Sequence, residues 1–329
     1  MSALLKPTLS RWGASVYETL TDIEIEKQAL SVFVEVLADY QDAEIIVVHS
    51  KQPFGSVEMA KAPSCRLVVT TTSGVDHIDT STLFAHNIRV ARMPMVRRDA
   101  VVESALAMLL HHNRRQQQFL LDAQENRWTR GQLPAYQPTK LSLQRIAVIG
   151  YGVIGSRLCE LLRLFGADVV TLDPKIQGDI PQRSMEEIAE WADVVMLCCN
   201  LQRESYHVIS RAWLEKVENR YHKTGRRLAL INTARGALVD IDATLEFVDK
   251  KVLSFLGVDV FEREPYPHLS QVLGRDNVIF TPHAAGFHPA LATDIRLGLL
   301  RIAETYQQQT VVPFEIQEAD LPYLDMRSL

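Results

Sequence analysis

Short apolar runs alternate with longer amphipathic stretches through most of this chain. Runs of four to six apolar or β-branched residues predict buried parallel strands, and apolar residues at helical spacing predict helices between them. From residue 145 to about 286, the predicted strands are Arg145–Ile149, Asp168–Leu172, Asp193–Cys198, Leu228–Ile231, Phe255–Asp259 and Val278–Phe280. This alternation indicates a doubly wound α/β domain, whose ligands bind outside the carboxyl ends of the strands.

The residues before about 100 repeat the alternation on a smaller scale. The predicted strands are Ala43–Val48, Leu67–Thr71 and Ile88–Ala91, and the predicted helices include Glu24–Leu37 and, near the other end of the chain, Ala290–Gln308. Asp99 is a candidate N-cap for a long helix that carries an apolar stripe to Leu110. We therefore expect a second, smaller α/β domain, with a boundary between about 103 and 112 inside that helix.

Composition excludes several classes of protein. The 329 residues carry 35 Lys and Arg and 40 Asp and Glu, and a net charge of −5 gives no reason to expect nucleic acid or a membrane surface as partner. No apolar stretch approaches the roughly 18 residues of a membrane span, and no signal peptide is evident. The four cysteines lack metal-ligand spacing, so we expect no metal site and a cytoplasmic protein.

A glycine-rich turn follows the first strand of the larger domain. Gly150, Gly152 and Gly155 have the spacing at which glycines permit a tight turn, the approach of a pyrophosphate and close helix packing. Asp173 ends the next strand, where an acid commonly binds the ribose hydroxyls. Its charge favours NAD over NADP, although Lys175 lies close by. The alternative is an ordinary βαβ turn that binds no nucleotide.

Three later strands are followed by residues that suit hydride chemistry on a hydroxy or keto acid. Arg235 can grip a carboxylate, His283 can exchange a proton with the C2 oxygen, and Glu264 can orient that histidine. Each has a structural alternative: a surface ion pair, a core histidine and a turn residue before Pro265, respectively. The occurrence of all three at strand ends favours the catalytic interpretation.

These motifs together resemble the D-isomer-specific 2-hydroxyacid dehydrogenases over nearly the whole chain. The matching segments are Ser73–Asp76, Val102–Glu103, Gly150–Gly155, Asn232–Gly236, Asp259–Pro265 and Thr281–Gly286. The resemblance implies an NAD-binding Rossmann domain, residues 106–290, inserted in a flavodoxin-like substrate domain, residues 1–105 and 291–329. It also implies a homodimer, formed mainly by the nucleotide domains, that acts on a small D-2-hydroxy or 2-keto acid.

The resemblance also assigns individual residues. It implies that Arg235, Glu264 and His283 are catalytic and that Arg235 also binds substrate, with Ser73, Gly74 and Val75. The implied cofactor contacts are Gly150, Gly152, Val153, Ile154, Gly155, Asp173, Thr233, Ala234 and Asp259, the last of them to the nicotinamide carboxamide. The chain departs from the family at Pro94–Arg98, in the segment that includes Arg97 and Arg98, and at Asn200–Gln202. Residues 218–227 resemble a basic surface insertion of about seven residues.

Two other functions stay open at this point. The same architecture serves in NAD-sensing, corepressor-like binding proteins, although an intact Arg, Glu and His set favours an enzyme. A formate-type dehydrogenase is disfavoured because formate has no C2 oxygen to protonate, and that subgroup has glutamine where this chain has Glu264. The residues do not identify the acid, since an apolar pocket discriminates by only about 1–3 kcal/mol per methylene.

Overall fold

A computed structural model describes residues 9–11, 43–48, 53–176, 179–272 and 274–317. The chain divides into two compact units, Met1–Arg98 with Phe287–Leu329, and Asp99–Gly286. The predicted helix Glu24–Leu37 lies outside the described residues. The domain limits expected from the sequence, 1–105 with 291–329 and 106–290, remain a prediction.

Strands and helices alternate through both units. The strands are β1 Leu9–Arg11, β2 Ile45–Val48, β3 Leu67–Thr70, β4 Arg89–Arg92, β5 Arg145–Ile149, β6 Asp168–Leu172, β7 Val194–Leu197, β8 Leu228–Asn232, β9 Leu253–Val258, β10 Val278–Phe280 and β11 Glu315–Ile316. The α-helices are α1 Ser56–Met59, α2 Thr80–Ala85, α3 Met95–Asn113, α4 Gln116–Gln124, α5 Leu133–Tyr136, α6 Val153–Leu164, α7 Met185–Trp191, α8 Arg211–Thr224, α9 Ile241–Asp249, α10 Leu269–Val272 and α11 Leu291–Gln307.

The smaller unit is built on one sheet in the order β1-β2-β3-β4-β11. The first four strands are parallel, and β11 runs antiparallel to β4. A bidentate ion pair between Arg89 and Glu315, with N–O distances of 2.7 and 2.6 Å, joins these two strands. The apolar face of α11 packs on the sheet through Leu291, Ile295 and Leu299. The α/β layer expected here is thus observed, with β1 as a strand that the sequence pattern did not predict.

The larger unit has six parallel strands in the order β10-β9-β8-β7-β5-β6. Buried clusters lie on both faces of this sheet, one including residues of α7, α8 and α9, the other residues of α3 and α6. The strand order reverses at β5, which pairs with β6 on one side and β7 on the other. The doubly wound fold is confirmed, and its reversal opens a crevice at the carboxyl ends of β5 and β7.

One local expectation was wrong. Helix α3 begins at Met95, four residues before Asp99, so Asp99 lies within the helix and does not cap it. Pro94 precedes the first helical residue, a place where its fixed φ and missing N–H cost little.

None of the helices in the described ranges combines the length and apolar content that a bilayer crossing needs.

Six of the ten residues in the segment 218–227 are exposed, so the segment lies largely at the surface, and its description as an insertion remains a prediction. Helix α8 continues through it to Thr224 and ends at Gly225, whose φ is +71°. Arg220 is 1% exposed, and its guanidinium donates to the carbonyl oxygen of Ala192. Arg226 pairs with Asp193 just before β8. Arg220 and Arg226 therefore attach this segment to the residues just before β7, whereas Lys223 and Arg227 are exposed.

Candidate active site

The three glycines of the turn after β5 differ in whether the surrounding atoms leave room for a side chain. Gly150 has φ +95°, and a Cβ there would lie 2.5 Å from the backbone nitrogen of Cys199. A Cβ on Gly155 would lie 2.0 Å from the carbonyl oxygen of Gly150. By contrast, a Cβ on Gly152 would meet nothing within 4 Å, and Gly152 precedes the first residue of α6. Packing explains the outer two glycines, whereas the middle one leaves an open approach to a helix N-terminus that a diphosphate fits.

Asp173 stands directly after β6, beside this turn. Its Oδ2 accepts a hydrogen bond of 2.7 Å from the Tyr151 amide, and its Oδ1 accepts one of 3.0 Å from the Lys175 amide. The carboxylate is therefore fixed at the rim of the crevice and attached to the glycine turn. Val153 and Ile154, also predicted to bind cofactor, form the first two positions of α6, where backbone amides lack helical acceptors.

Buried Asn232, the last residue of β8, shapes the loop that carries Arg235. Its Oδ1 accepts from the Ala234 amide at 3.0 Å, and its Nδ2 donates to the Arg235 carbonyl at 2.8 Å. Arg235 is half-buried, and one of its terminal nitrogens donates to the Ala234 carbonyl at 2.9 Å. A Cβ on Gly236 would lie 1.9 Å from the carbonyl carbon of Phe261. The arginine loop thus packs directly on the backbone that leads to the predicted glutamate.

His283 and Glu264 form a direct pair. The Nδ1 of His283 lies 2.8 Å from Oε2 of Glu264, and the side chains are 46% and 27% exposed. Oε1 of Glu264 accepts a hydrogen bond from the Phe261 amide at 3.1 Å. This geometry assigns the Nδ1 proton to the bond with Glu264, which leaves Nε2 as the ring nitrogen that can exchange a proton with a ligand.

A buried carboxylate holds the histidine loop. Asp259 is 2% exposed, and its oxygens accept from the Thr281 hydroxyl and from the amides of Ala284 and Ala285, the amide contacts spanning 2.8–3.1 Å. The His283 amide donates to the Asp259 carbonyl at 2.7 Å, with His283 at φ +56°. Sequence reasoning assigned Asp259 only to the nicotinamide, which remains a prediction, and it missed this bracing role.

The other bracing residues were also missed. Asn232 and Thr281 lie beside predicted site residues, and each belongs to a motif that the sequence contains. Their positions could have identified them, because each is a polar residue that ends or directly follows an apolar strand. A polar side chain that is buried there needs hydrogen-bond partners, and the nearby backbone supplies them. Thr233, predicted to contact cofactor, lies buried in the same loop as Asn232.

The predicted substrate loop Ser73–Val75 belongs to the smaller unit. The Thr72 hydroxyl donates to the Gly74 carbonyl at 2.9 Å, and Arg92 donates to the Ser73 carbonyl at 3.2 Å. Arg97, from the segment that departs from the family pattern, donates to the Thr71 carbonyl at 2.6 Å. These contacts fix the loop after β3, and its role toward a substrate remains a prediction. In the described ranges, no group of three or more His, Cys, Asp or Glu is arranged to hold a metal.

Comparison with known proteins gives a family match. The family described as D-isomer specific 2-hydroxyacid dehydrogenase, NAD binding domain, matches residues 106–285, which include the glycine turn and the Arg, Glu and His set. The glyoxylate/hydroxypyruvate reductase HPR3 of Arabidopsis thaliana is 28% identical over 247 residues, which cover 74% of this chain and 73% of the relative. The glyoxylate reductase of Thermofilum pendens is 27% identical over 259 residues, covering 76% and 74%.

A solved structure shares the fold. The D-lactate dehydrogenase from Aquifex aeolicus, crystallised with NAD and lactic acid, superposes with a TM-score of 0.74. It is 24% identical, and the match covers 92% of this chain and 96% of that one.

Proposed function

This chain belongs to the D-isomer specific 2-hydroxyacid dehydrogenase family, and on that premise we propose that His283, Glu264 and Arg235 perform its proton transfer and substrate binding. The protein is an NAD-dependent oxidoreductase that interconverts a D-2-hydroxy acid and its 2-keto acid. The corepressor-like alternative fits less well, because the relatives described above are named as reductases. The observation that carries the proposal is the 2.8 Å pair between His283 Nδ1 and Glu264.

In the proposed reaction, NADH held at the glycine turn would supply the hydride that reduces the C2 carbon of the keto acid. The Nε2 proton of His283 passes to the C2 oxygen, and Glu264 holds the ring at Nδ1 so that Nε2 faces the ligand. The guanidinium of Arg235 grips the substrate carboxylate as a fork. In the reverse direction, neutral His283 accepts the hydroxyl proton at Nε2, and Glu264 stabilises the charged ring that results.

The glycine turn and Asp173 are assigned to the nucleotide. The open face of Gly152 and the amides of Val153 and Ile154 suit a diphosphate, and the Asp173 carboxylate suits ribose hydroxyls. A negative charge at that position disfavours a 2′-phosphate, so NADH should be preferred to NADPH. Thr233, Ala234 and Asp259 complete the proposed cofactor contacts.

We also propose a cytoplasmic homodimer. Three apolar side chains in the segment after α3 are exposed: Leu120 at 56%, Trp128 at 91% and Leu133 at 38%. Large exposed aromatic and aliphatic groups in one segment are typical of a surface that another chain covers. All four cysteines are free thiols, which supports a reducing compartment.

The experiment is a panel of 2-keto acids followed by loss of NADH absorbance. Glyoxylate, hydroxypyruvate and pyruvate are chosen because relatives are named for related acids. Arg235→Ala should raise KM by roughly 10- to 150-fold, since charged hydrogen bonds contribute about 1.5–3 kcal/mol. Arg263→Ala, which removes an exposed charge nearby, is the matched control. No turnover of any keto acid, or equal KM in both variants, would overturn the assignment.

A further inference from the structure

A second cavity lies in the larger unit, at the edge of the sheet opposite to the nucleotide crevice. It has a volume of about 790 Å³, within the size range of small-molecule sites. Gln144 before β5, Asp193 before β7 and Ser254 near the start of β9 line it, so it opens at the amino ends of the strands. The glycine turn, Arg235 and His283 all follow the carboxyl ends. The cavity therefore belongs to neither the proposed cofactor site nor the proposed catalytic site.

The walls of this cavity carry positive charge that no carboxylate of the described residues neutralises. Arg115 and Arg227 both line it, and in the ranges that the structure describes neither guanidinium pairs with a carboxylate. Arg115 uses only its Nε, which donates to the Tyr136 carbonyl at 2.8 Å. Arg115 and Arg227 line the same cavity. Burial lowers the pKa of Arg115, and the positive charge of Arg227 lowers it further.

The one acid in the lining is already neutralised. Asp193 accepts from the backbone and side chain of Arg145, at 3.0 and 3.4 Å, and from the guanidinium of Arg226. It thus has two cationic partners of its own. Burial, helped by Arg115, lowers the pKa of His112 to about 3, so that its ring is neutral near pH 7. The uncompensated charge of the cavity is consequently that of Arg115 and Arg227, with His222 exposed beside them.

We infer that this cavity binds a small phosphorylated metabolite, with Arg115 and Arg227 holding its phosphate. Two neighbouring guanidinium groups match a phosphate monoester, which carries about −1.5 to −2 charges near pH 7 and offers paired acceptor oxygens. The remaining polar lining, which includes Gln137, Thr139 and Tyr221, suits hydroxyl groups better than an apolar ligand.

The test is a titration with inorganic phosphate, monitored by thermal unfolding of the protein saturated with NADH. Saturation keeps phosphate out of the nucleotide site, and potassium chloride at equal ionic strength controls for screening. Arg227→Gln is the test variant, because Arg227 is exposed and makes no hydrogen bond in the described structure. Arg163→Gln is the matched control, since Arg163 is an exposed arginine of the same unit outside the cavity lining.

Phosphate should raise the unfolding temperature of the parent and of Arg163→Gln beyond the effect of chloride. Arg227→Gln should weaken phosphate binding about tenfold or more, as expected for the loss of one charge-assisted hydrogen bond. In initial-rate kinetics, phosphate should not compete with the keto acid. The inference is overturned by a shift no larger than that of chloride, by equal affinity in both variants, or by an Arg227→Gln protein that changes only its oligomeric mass. None of these results would affect the dehydrogenase assignment.

Discussion

Replacing Gly152 by alanine tests the cofactor site without disturbing the fold around it. Gly152 has φ −69° and ψ −162°, a conformation open to alanine, and its Cβ would meet nothing within 4 Å. Alanine restricts the unfolded chain, which stabilises by about 0.4–1 kcal/mol. Gly152 is also the N-cap of α6, where alanine costs up to about 1 kcal/mol relative to glycine. The two effects offset each other, so the free energy of unfolding should change by less than about 1 kcal/mol.

Cofactor binding should respond much more strongly. If a diphosphate approaches the open face of Gly152, the added methyl group occupies part of that space and lengthens at least one amide–phosphate hydrogen bond. Loss of one hydrogen bond to a charged group costs about 1.5–3 kcal/mol, which corresponds to a Kd for NADH raised roughly 10- to 150-fold. The assays are urea unfolding of the protein without cofactor and a fluorescence titration with NADH.

Gly155→Ala is the matched comparison, because its Cβ would lie 2.0 Å from the Gly150 carbonyl oxygen. It should destabilise the protein by at least about 1–3 kcal/mol through overpacking. The reasoning would be refuted if Gly152→Ala bound NADH as the parent does, or if Gly152→Ala were the less stable of the two variants.

Three further predictions concern the crevice and the exposed surface. Glu264→Gln should keep only part of the parent's kcat for keto-acid reduction. The amide can still bond Nδ1 of His283, but it no longer stabilises the charged ring. A kcat equal to that of the parent would contradict this. Asp173→Ala should reduce the ratio of kcat/KM with NADH to kcat/KM with NADPH about tenfold. Equal kcat/KM values for the two cofactors in the parent would exclude the proposed role of Asp173. Trp128→Ser should raise the dissociation constant of the proposed dimer about 30-fold or more, as expected for the loss of a buried tryptophan anchor, measured by light scattering on dilution. An unchanged dissociation constant in the variant, or a parent that is monomeric, would argue against that surface.

The sequence predicted most of the larger unit because its strands are largely apolar and its first strand is followed by a glycine-rich turn. The limits of Arg145–Ile149 and Asp168–Leu172 agree residue by residue with β5 and β6. The first residue of a helix was harder to predict from the sequence. The sequence favoured Asp99 as a cap, yet α3 begins at Met95, directly after Pro94, whose fixed φ suits the start of a helix.

The pattern of apolar and polar residues did not predict which charged residues are buried. Arg220 belongs to a basic stretch that predicts a solvated surface, and only the fold brings it beside the Ala192 carbonyl. Asp259 was assigned a ligand role, whereas its bonds to Ala284 and Ala285 depend on a loop that returns from β10. Arg115 and Arg227 line the same cavity although they lie more than a hundred residues apart in sequence. Such pairs follow from three-dimensional packing, which local periodicity does not encode.

The central claim is that His283 gives and takes the proton at C2, and the most direct test is the kcat of His283→Ala. We predict that kcat for reduction of the best keto acid falls by roughly two to four powers of ten, the usual contribution of general acid–base catalysis, while the Kd for NADH stays within about threefold. His268→Ala, which removes an exposed imidazole from the same unit, should retain the parent's kcat. A His283→Ala protein that binds NADH and turns over at the parent's rate would contradict the account.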